Sequence, residues 1–270
     1  MKKLTLVITV ILLLQSGGCA TTTNKSASGV ERRQLLLLPE SQVETMSLQS
    51  YQQTLKEANG KKTLNTDPAA LARVREISSR LIAQAPIFRP DAKNWKWEIN
   101  VDKNNQVNAY CMPGGKIMVF TGLIDQLKPS DDELAVVIGH EISHALREHG
   151  RERMSQAYVQ QFGLQALAAF ATGTAGTAAV QAAGVGSQLF FALPNSRTQE
   201  AEADRMGLEL AARAGYNPES AIVLWTKMSK LGGNKPPAYL SDHPADQARI
   251  NDLQKLMPKM IPLYEQAKSS

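Results

Sequence analysis

Two of the chain's four histidines stand in one pentapeptide, His140-Glu141-Ile142-Ser143-His144. Residues four apart on a helix lie on one face, one turn apart. Two imidazoles so placed can converge on a single zinc ion at roughly 2.0–2.1 Å. Glu141, one residue along, reaches a water beside the metal instead of the metal, which is the mechanical content of the HExxH motif. A catalytic zinc takes three protein ligands and keeps one position for water. The run Glu200-Ala201-Glu202-Ala203-Asp204 offers the third ligand from a separate helix. Glu200 and Asp204 share a helical face, whereas Glu202 points about 160° away. Glu200 is therefore the expected ligand and Glu202 the fallback, otherwise solvated or paired with a surface base. Asp204 is placed to accept a hydrogen bond from the second ring nitrogen of a liganding imidazole. His149 is a rival ligand, but five residues beyond His144 it faces another side of the helix. It is expected to cap that helix at its C-terminus, where a cation is favoured.

Hydrolysis at such a site needs a base and a stabiliser for the developing oxyanion. Glu141 is the base, taking a proton from water and returning it to the leaving amine. His243 and Arg249, on either side of Pro244, are the candidate oxyanion donors. His243 has a second possible role: imidazole is a good ligand, and in the open metal position it would hold the enzyme latent. Asn108 and Ala109, on an expected edge strand, would bind an extended peptide by strand addition. Such recognition is mostly main-chain, so the substrate is expected to be a loose or unfolded segment. Cys111 reads as a small strand residue and not as a nucleophile.

These residues need helices and a sheet to position them. A polar helix is expected over Pro39 to Asn59, ended by Gly60. Asp67 and Pro68 open a second, whose apolar positions Leu71, Val74, Ile77, Leu81 and Ile82 follow helical spacing. Trp95, Trp97, Ile99 and Val101 alternate with polar residues as a half-buried strand. Gln106 to Cys111 and Lys116 to Phe120 form two more strands, joined by a turn at Pro113-Gly114-Gly115. Ser130-Asp131-Asp132-Glu133 is a capping box. It opens an apolar, buried helix that carries the motif to about Gly150. Further helices are expected over Arg197 to Ala214, from Asn217-Pro218 to about Leu231, and over Pro244 to Leu256. Between Arg153 and Arg197 no residue is charged. Glutamines interrupt any membrane span there, so small-residue helices beside the cleft are expected, with a lid or membrane-surface contact the sharper alternative.

With 270 residues, 43% of them hydrophobic and 20% charged, the chain suits one globular domain with an N-terminal extension. A net charge of +5 comes without a basic cluster interleaved with aromatics, which argues against nucleic-acid binding. Residues 1–18 combine a basic start with a short apolar stretch, and Ser16-Gly17-Gly18-Cys19 puts a cysteine after small residues. This resembles a bacterial lipoprotein signal. Cys19 is then the acylated first residue, and Ala20 after it favours the periplasmic face of the outer membrane. The alternative is an ordinary secretory signal and a soluble periplasmic protein. Residues 19–65 are expected to form a tether, small and polar over Thr21 to Gly29, followed by the first helix. Residues 66–270 are expected to form the catalytic domain.

Several runs together point to one family: Ile138-Gly139 before the pentapeptide, Ala145 to His149 after it, and Ser196 to Asp204. Asn108-Ala109, Pro113 to Ile117, and Ser241-Asp242-His243-Pro244 with Arg249 follow the same order. From Thr66 to about Leu256 the chain resembles the HtpX/Oma/CAAX-prenyl-endopeptidase family of zinc metallopeptidases. The resemblance implies an α+β, mostly helical zincin-like domain with a small mixed β-sheet and an edge strand beside the motif helix. It also implies one Zn²⁺ per chain, held by His140, His144 and Glu200, with Glu141 catalytic. The expected function is quality control in the bacterial envelope, by cleavage of unfolded or misassembled proteins. A non-proteolytic assembly factor or chaperone using the same cleft is the alternative.

Overall fold

The computed structural model describes residues 19–172, 195–231, 238–243 and 247–269. The leader expected over residues 1–18, and residues 173–194 of the uncharged stretch, lie outside the described residues. Two short antiparallel strands, β1 (Cys19–Ala20) and β2 (Gln34–Leu35), come first. Helices α1 (Glu40–Gly60), α2 (Pro68–Ile82) and α3 (Ala85–Phe88) follow, then a 3-10 turn over Pro90–Asn94. Strands β3 (Glu98–Asp102), β4 (Ala109–Met112) and β5 (Lys116–Phe120) build a sheet in the order β3-β5-β4. β3 runs parallel to β5 and β4 antiparallel to it, which leaves β4 at an edge. The chain continues through α4 (Thr121–Leu127), α5 (Asp131–Leu146) and α6 (His149–Thr172). It ends with α7 (Arg197–Arg213), α8 (Ser220–Leu231), α9 (Ala238–Asp242) and α10 (Gln247–Lys268). The expected α+β class, mostly helical with a small mixed sheet, is the architecture found.

Local chemistry explains the helix starts. Asp67 accepts from the Ala69 and Ala70 amides to open α2. Ser130 and Glu133 form the expected capping box on α5, and Ser196 with Gln199 forms a second on α7. Helix α5 is buried from Glu133 to Leu146 and is wrapped by α2, α7, α8 and β4. Its tightest neighbour is α7, because the two backbones touch where Gly139 meets Gly207. A Cβ on Gly207 would stand 2.6 Å from the His140 amide nitrogen. Helix α1 lies on the sheet, where the buried Tyr51 donates its hydroxyl to the Ile117 carbonyl at 2.9 Å and accepts from Asn100.

Three expectations are corrected. The first strand begins at Glu98, not Trp95; Trp95 and Trp97 precede it, their rings 5.3 Å apart. Helix α5 stops at Leu146 instead of running to Gly150. Glu148 takes a left-handed conformation (φ 51°), fixed by ion pairs to Arg89 at 2.7 Å and Arg151 at 2.6 Å, and α6 starts afresh at His149. Thr21 to Gly29 is not a free tether. Thr23, Ser28 and Val30 are buried, and the Ser28 amide donates to the buried Glu209 carboxylate at 2.6 Å. Small polar residues suit a linker, but they also suit a strap that lies flat and bonds through its backbone. Here the strap is what forms.

Candidate metal centre

Helix α5 presents His140 and His144 on one face, as their spacing requires, with the two Nε2 atoms 3.0 Å apart. The Gly139–Gly207 contact brings the start of α7 against that face. Glu200 then stands 3.4 Å from His140 Nε2 and 3.3 Å from His144 Nε2. From the end of α9, His243 completes the group, its Nδ1 lying 3.1 Å from His140 Nε2 and 2.9 Å from Glu200 Oε1. All four residues are buried, and one ligand atom from each lies within 4.8 Å of the others. Four ligands about 2.0–2.1 Å from a tetrahedral ion stand about 3.3–3.4 Å apart, so the donor set and its spacing both fit zinc.

The surrounding groups fix which ring nitrogens are left for a metal. His140 Nδ1 donates to Asp204 at 3.0 Å, leaving Nε2 for metal. Arg249 grips Asp204 at 2.6 and 2.7 Å, reaches Glu200 at 2.9 Å and stacks its guanidinium 3.9 Å over Trp225. Burial opposes charge on His140, but the carboxylates of Glu200 and Asp204 outweigh it and lift the imidazole to about 9. Burial pushes the Glu141 carboxyl up from its ordinary range, against the pull of His243 and His140. Glu141 Oε1 is buried and makes no hydrogen bond among the described residues, and His243 Nε2 is 3.6 Å from it.

A cleft opens over this face. It is lined by the edge strand from Asn108 to Met112, by Glu141 and His144, and by Arg153, Asn195 and His243. The Phe120 amide donates to the Asn108 carbonyl, so by strand alternation the main-chain groups of Ala109 and Cys111 face the open edge. The Asn108 side chain covers one of them, accepting from the Ala109 amide at 2.9 Å. Cys111 is buried, and burial and Glu141 hold its thiol well above its ordinary pKa, which disfavours the thiolate.

The model for Peptidase family M48 matches residues 68–257. The chain belongs to that family. Mitochondrial metalloendopeptidase OMA1 of Arabidopsis thaliana is 37% identical over 183 residues, 64% of this chain and 34% of that protein. The human metalloendopeptidase OMA1 is 31% identical over 243 residues, 87% of this chain and 46% of that protein. The chain thus spans a third to a half of these mitochondrial relatives. Metalloprotease LoiP of Escherichia coli is 29% identical over 227 residues, 84% of this chain and 85% of LoiP.

In this M48 chain, some residues stand elsewhere than their spacing suggested. Arg249 faces Asp204 and Glu200 behind the metal cluster instead of pointing into the cleft. Glu202 does point away from Glu200, but into the protein: it is buried and bonded to Arg32, Arg147 and His149. His149 does not cap α5. Had α5 continued, His149 would face roughly 140° from His144; the break at Glu148 folds it back, its Nδ1 2.8 Å from His144 Nδ1. All four histidines of the chain therefore gather at one place, a signal the sequence held in plain count.

Proposed function

We propose that this M48 chain is a zinc-dependent endopeptidase of the bacterial envelope that cuts unfolded or misassembled proteins. The observation that carries it is the buried set His140, His144, Glu200 and His243, at the spacing of one ion and beside an open strand edge. When bound, zinc supplies Lewis-acid polarisation of the scissile carbonyl and lowers the pKa of water toward neutrality. The remaining work falls to the protein. Ala109 and Cys111 offer main-chain groups to an extended peptide, the Asn108 side chain giving way to it, and lay the scissile bond against α5. Glu141, desolvated by burial, takes the proton from the attacking water and passes it to the leaving amine. Asp204, gripped by Arg249, holds His140 in the right tautomer.

His243 fills the fourth position in this geometry, which supports latency over oxyanion stabilisation for that residue. The strand-addition cleft favours loose substrate over folded protein. A lipid on Cys19 would hold the domain on the periplasmic face of the outer membrane. Support for that placement is the leader pattern, the relation to LoiP, and a helix set with no member among the described residues long and apolar enough to cross a membrane. Incorporation of labelled palmitate, abolished by Cys19→Ser, checks the anchor.

The deciding experiment is Glu141→Gln. This variant should keep its zinc by elemental analysis while cleavage of unfolded casein falls by at least about a thousandfold (about 4 kcal/mol of barrier). Retained cleavage would sink the assignment. Rescue of a null strain by the same variant would favour the assembly-factor alternative.

A further inference from the structure

Behind His144, on the side away from the cleft, lies a continuous chain of hydrogen bonds that ends on the N-terminal strap. His149 Nδ1 is 2.8 Å from His144 Nδ1, and His149 Nε2 is 3.0 Å from Glu202 Oε2. Only one proton arrangement serves both contacts and leaves His144 Nε2 free for a metal. His149 donates from Nε2 to the Glu202 carboxylate, and His144 donates from Nδ1 to the lone pair of His149 Nδ1. Glu202 is in turn fixed from outside. Arg32 reaches it at 2.8 and 3.1 Å while holding Glu152 at 2.5 and 2.8 Å, so one guanidinium bridges two carboxylates. Arg147, with no solvent exposure, donates to Glu202 from Nε at 3.4 Å and from Nη2 at 3.2 Å, and also to Thr21, Thr23 and the Arg32 carbonyl. The strap closes the arrangement with Gln34, which donates to the Arg147 carbonyl at 2.6 Å.

We propose that His149 and Glu202 are positioning residues for the metal ligand His144, and that the strap carrying Arg32 completes the metal site from outside the family core. The inference rests on the zinc reading above. It gives each histidine on α5 its own carboxylate support: Asp204 directly for His140, and Glu202 through a second imidazole for His144. It also explains the burial of Arg147 and Glu202, charged residues that belong neither to the cleft lining nor to the four-residue cluster. Arg32 precedes the matched region, which starts at residue 68. A catalytic core cut at that boundary would lose the outer end of the relay.

The test uses the full mature chain and reads metal binding. Zinc affinity is measured by competition with a chromophoric chelator, and the visible spectrum is recorded after cobalt substitution. Loss of an outer partner of a metal-liganding histidine costs about 10–100-fold in metal affinity. Glu202→Gln and His149→Ala should each weaken zinc by that factor and change the cobalt bands. Arg32→Ala, at a site where the side chain is one-third exposed, should weaken zinc in the same direction, with circular dichroism verifying that the variant is folded. In a double-mutant cycle, Arg32→Ala should add nothing once Glu202 is Gln. Lys25→Ala, which removes only an exposed pair with Glu31, is the control. Wild-type zinc affinity and cobalt spectra in Glu202→Gln and His149→Ala would overturn the relay. Additive effects of Arg32 and Glu202 would overturn the strap's part in it. A parent chain that binds no zinc would overturn the proposed function itself, a result distinguishable from either.

Discussion

At the scale of single residues, the centre is a set of charges that balance only together. Glu200 and Asp204 are buried carboxylates, and Arg249 is the buried cation that faces both. Removing one partner from such a pair leaves the other unpaired in low dielectric, at about 3–5 kcal/mol. Arg249→Ala should therefore lower the urea stability of the metal-free protein by about that amount, and a loss below about 1 kcal/mol would mean that the pair is solvated in solution. His243 poses a different question. Its Nδ1 stands 3.1 Å from His140 Nε2 while Tyr239 stacks on its ring at 4.5 Å, so the ring is held against the other candidate ligands. His243→Ala should raise cleavage of unfolded casein several-fold, with zinc retained through the other three ligands. Lower activity with zinc intact would make His243 an oxyanion donor instead.

At the scale of elements, the motif helix and its partner are positioned by a backbone contact that no side chain can cushion. A Cβ on Gly207 would meet His140 N at 2.6 Å and His140 Cα at 2.8 Å, and both are helix backbone. Gly207→Ala must then push α7 off α5 and carry Glu200 away from the two imidazoles. Overpacking of this kind costs about 1–3 kcal/mol, and zinc affinity should fall with thermal stability. Gly60→Ala, with nothing within 4 Å of the new Cβ, should do neither. Equal behaviour of the two variants would show that the helices can part freely. Much of this level was legible in the sequence. Ser130 and Glu133 announce α5, Asp67 and Pro68 announce α2, and the four-residue spacing of His140 and His144 fixes their shared face. The end of α5 was not legible, since Arg147-Glu148-His149 is helix-compatible. At the break Glu148 is left-handed and its carboxylate is held by Arg89, a cation that only the tertiary fold brings there, and by Arg151. The fate of Glu202 was hidden for the same reason. Helical angle gives the direction away from Glu200, but not that Arg147 and a strap wait there.

At the scale of the whole molecule, the strap from Cys19 to Leu35 is tied to the catalytic core through the ion pairs of Arg32 with two buried carboxylates, so its attachment depends on pH. Composition alone could not show this, because Thr21 to Gly29 bonds through its backbone to Glu209, a residue far along the chain. Two carboxylates outside the metal cluster, Glu202 and Glu152, hold Arg32, and Glu152 is also contacted by Gln34 and Gln199. Burial raises its pKa, but hydrogen bonds from Arg32, Gln199 and Gln34 overcome that and hold it below the ordinary value of 4.5. A carboxylate depressed on folding contributes stability that is present above its unfolded pKa and lost as pH falls through its folded one. Strap docking should therefore be constant from pH 7 to about 5, then weaken below about 4.5. Hydrogen exchange of residues 21–35 measures it: protection should be equal at pH 7 and 5, after correction for intrinsic rates, and fall on further acidification. Glu152→Gln keeps the shape and removes that residue's share of the proton uptake. The acid slope should then become shallower and shift toward the Glu202 carboxyl, which is held down at about 2, while protection at pH 7 falls because Arg32 loses a charge partner. Protection already lost between pH 7 and 5 would point to a histidine in place of Glu152 as the group that releases the strap.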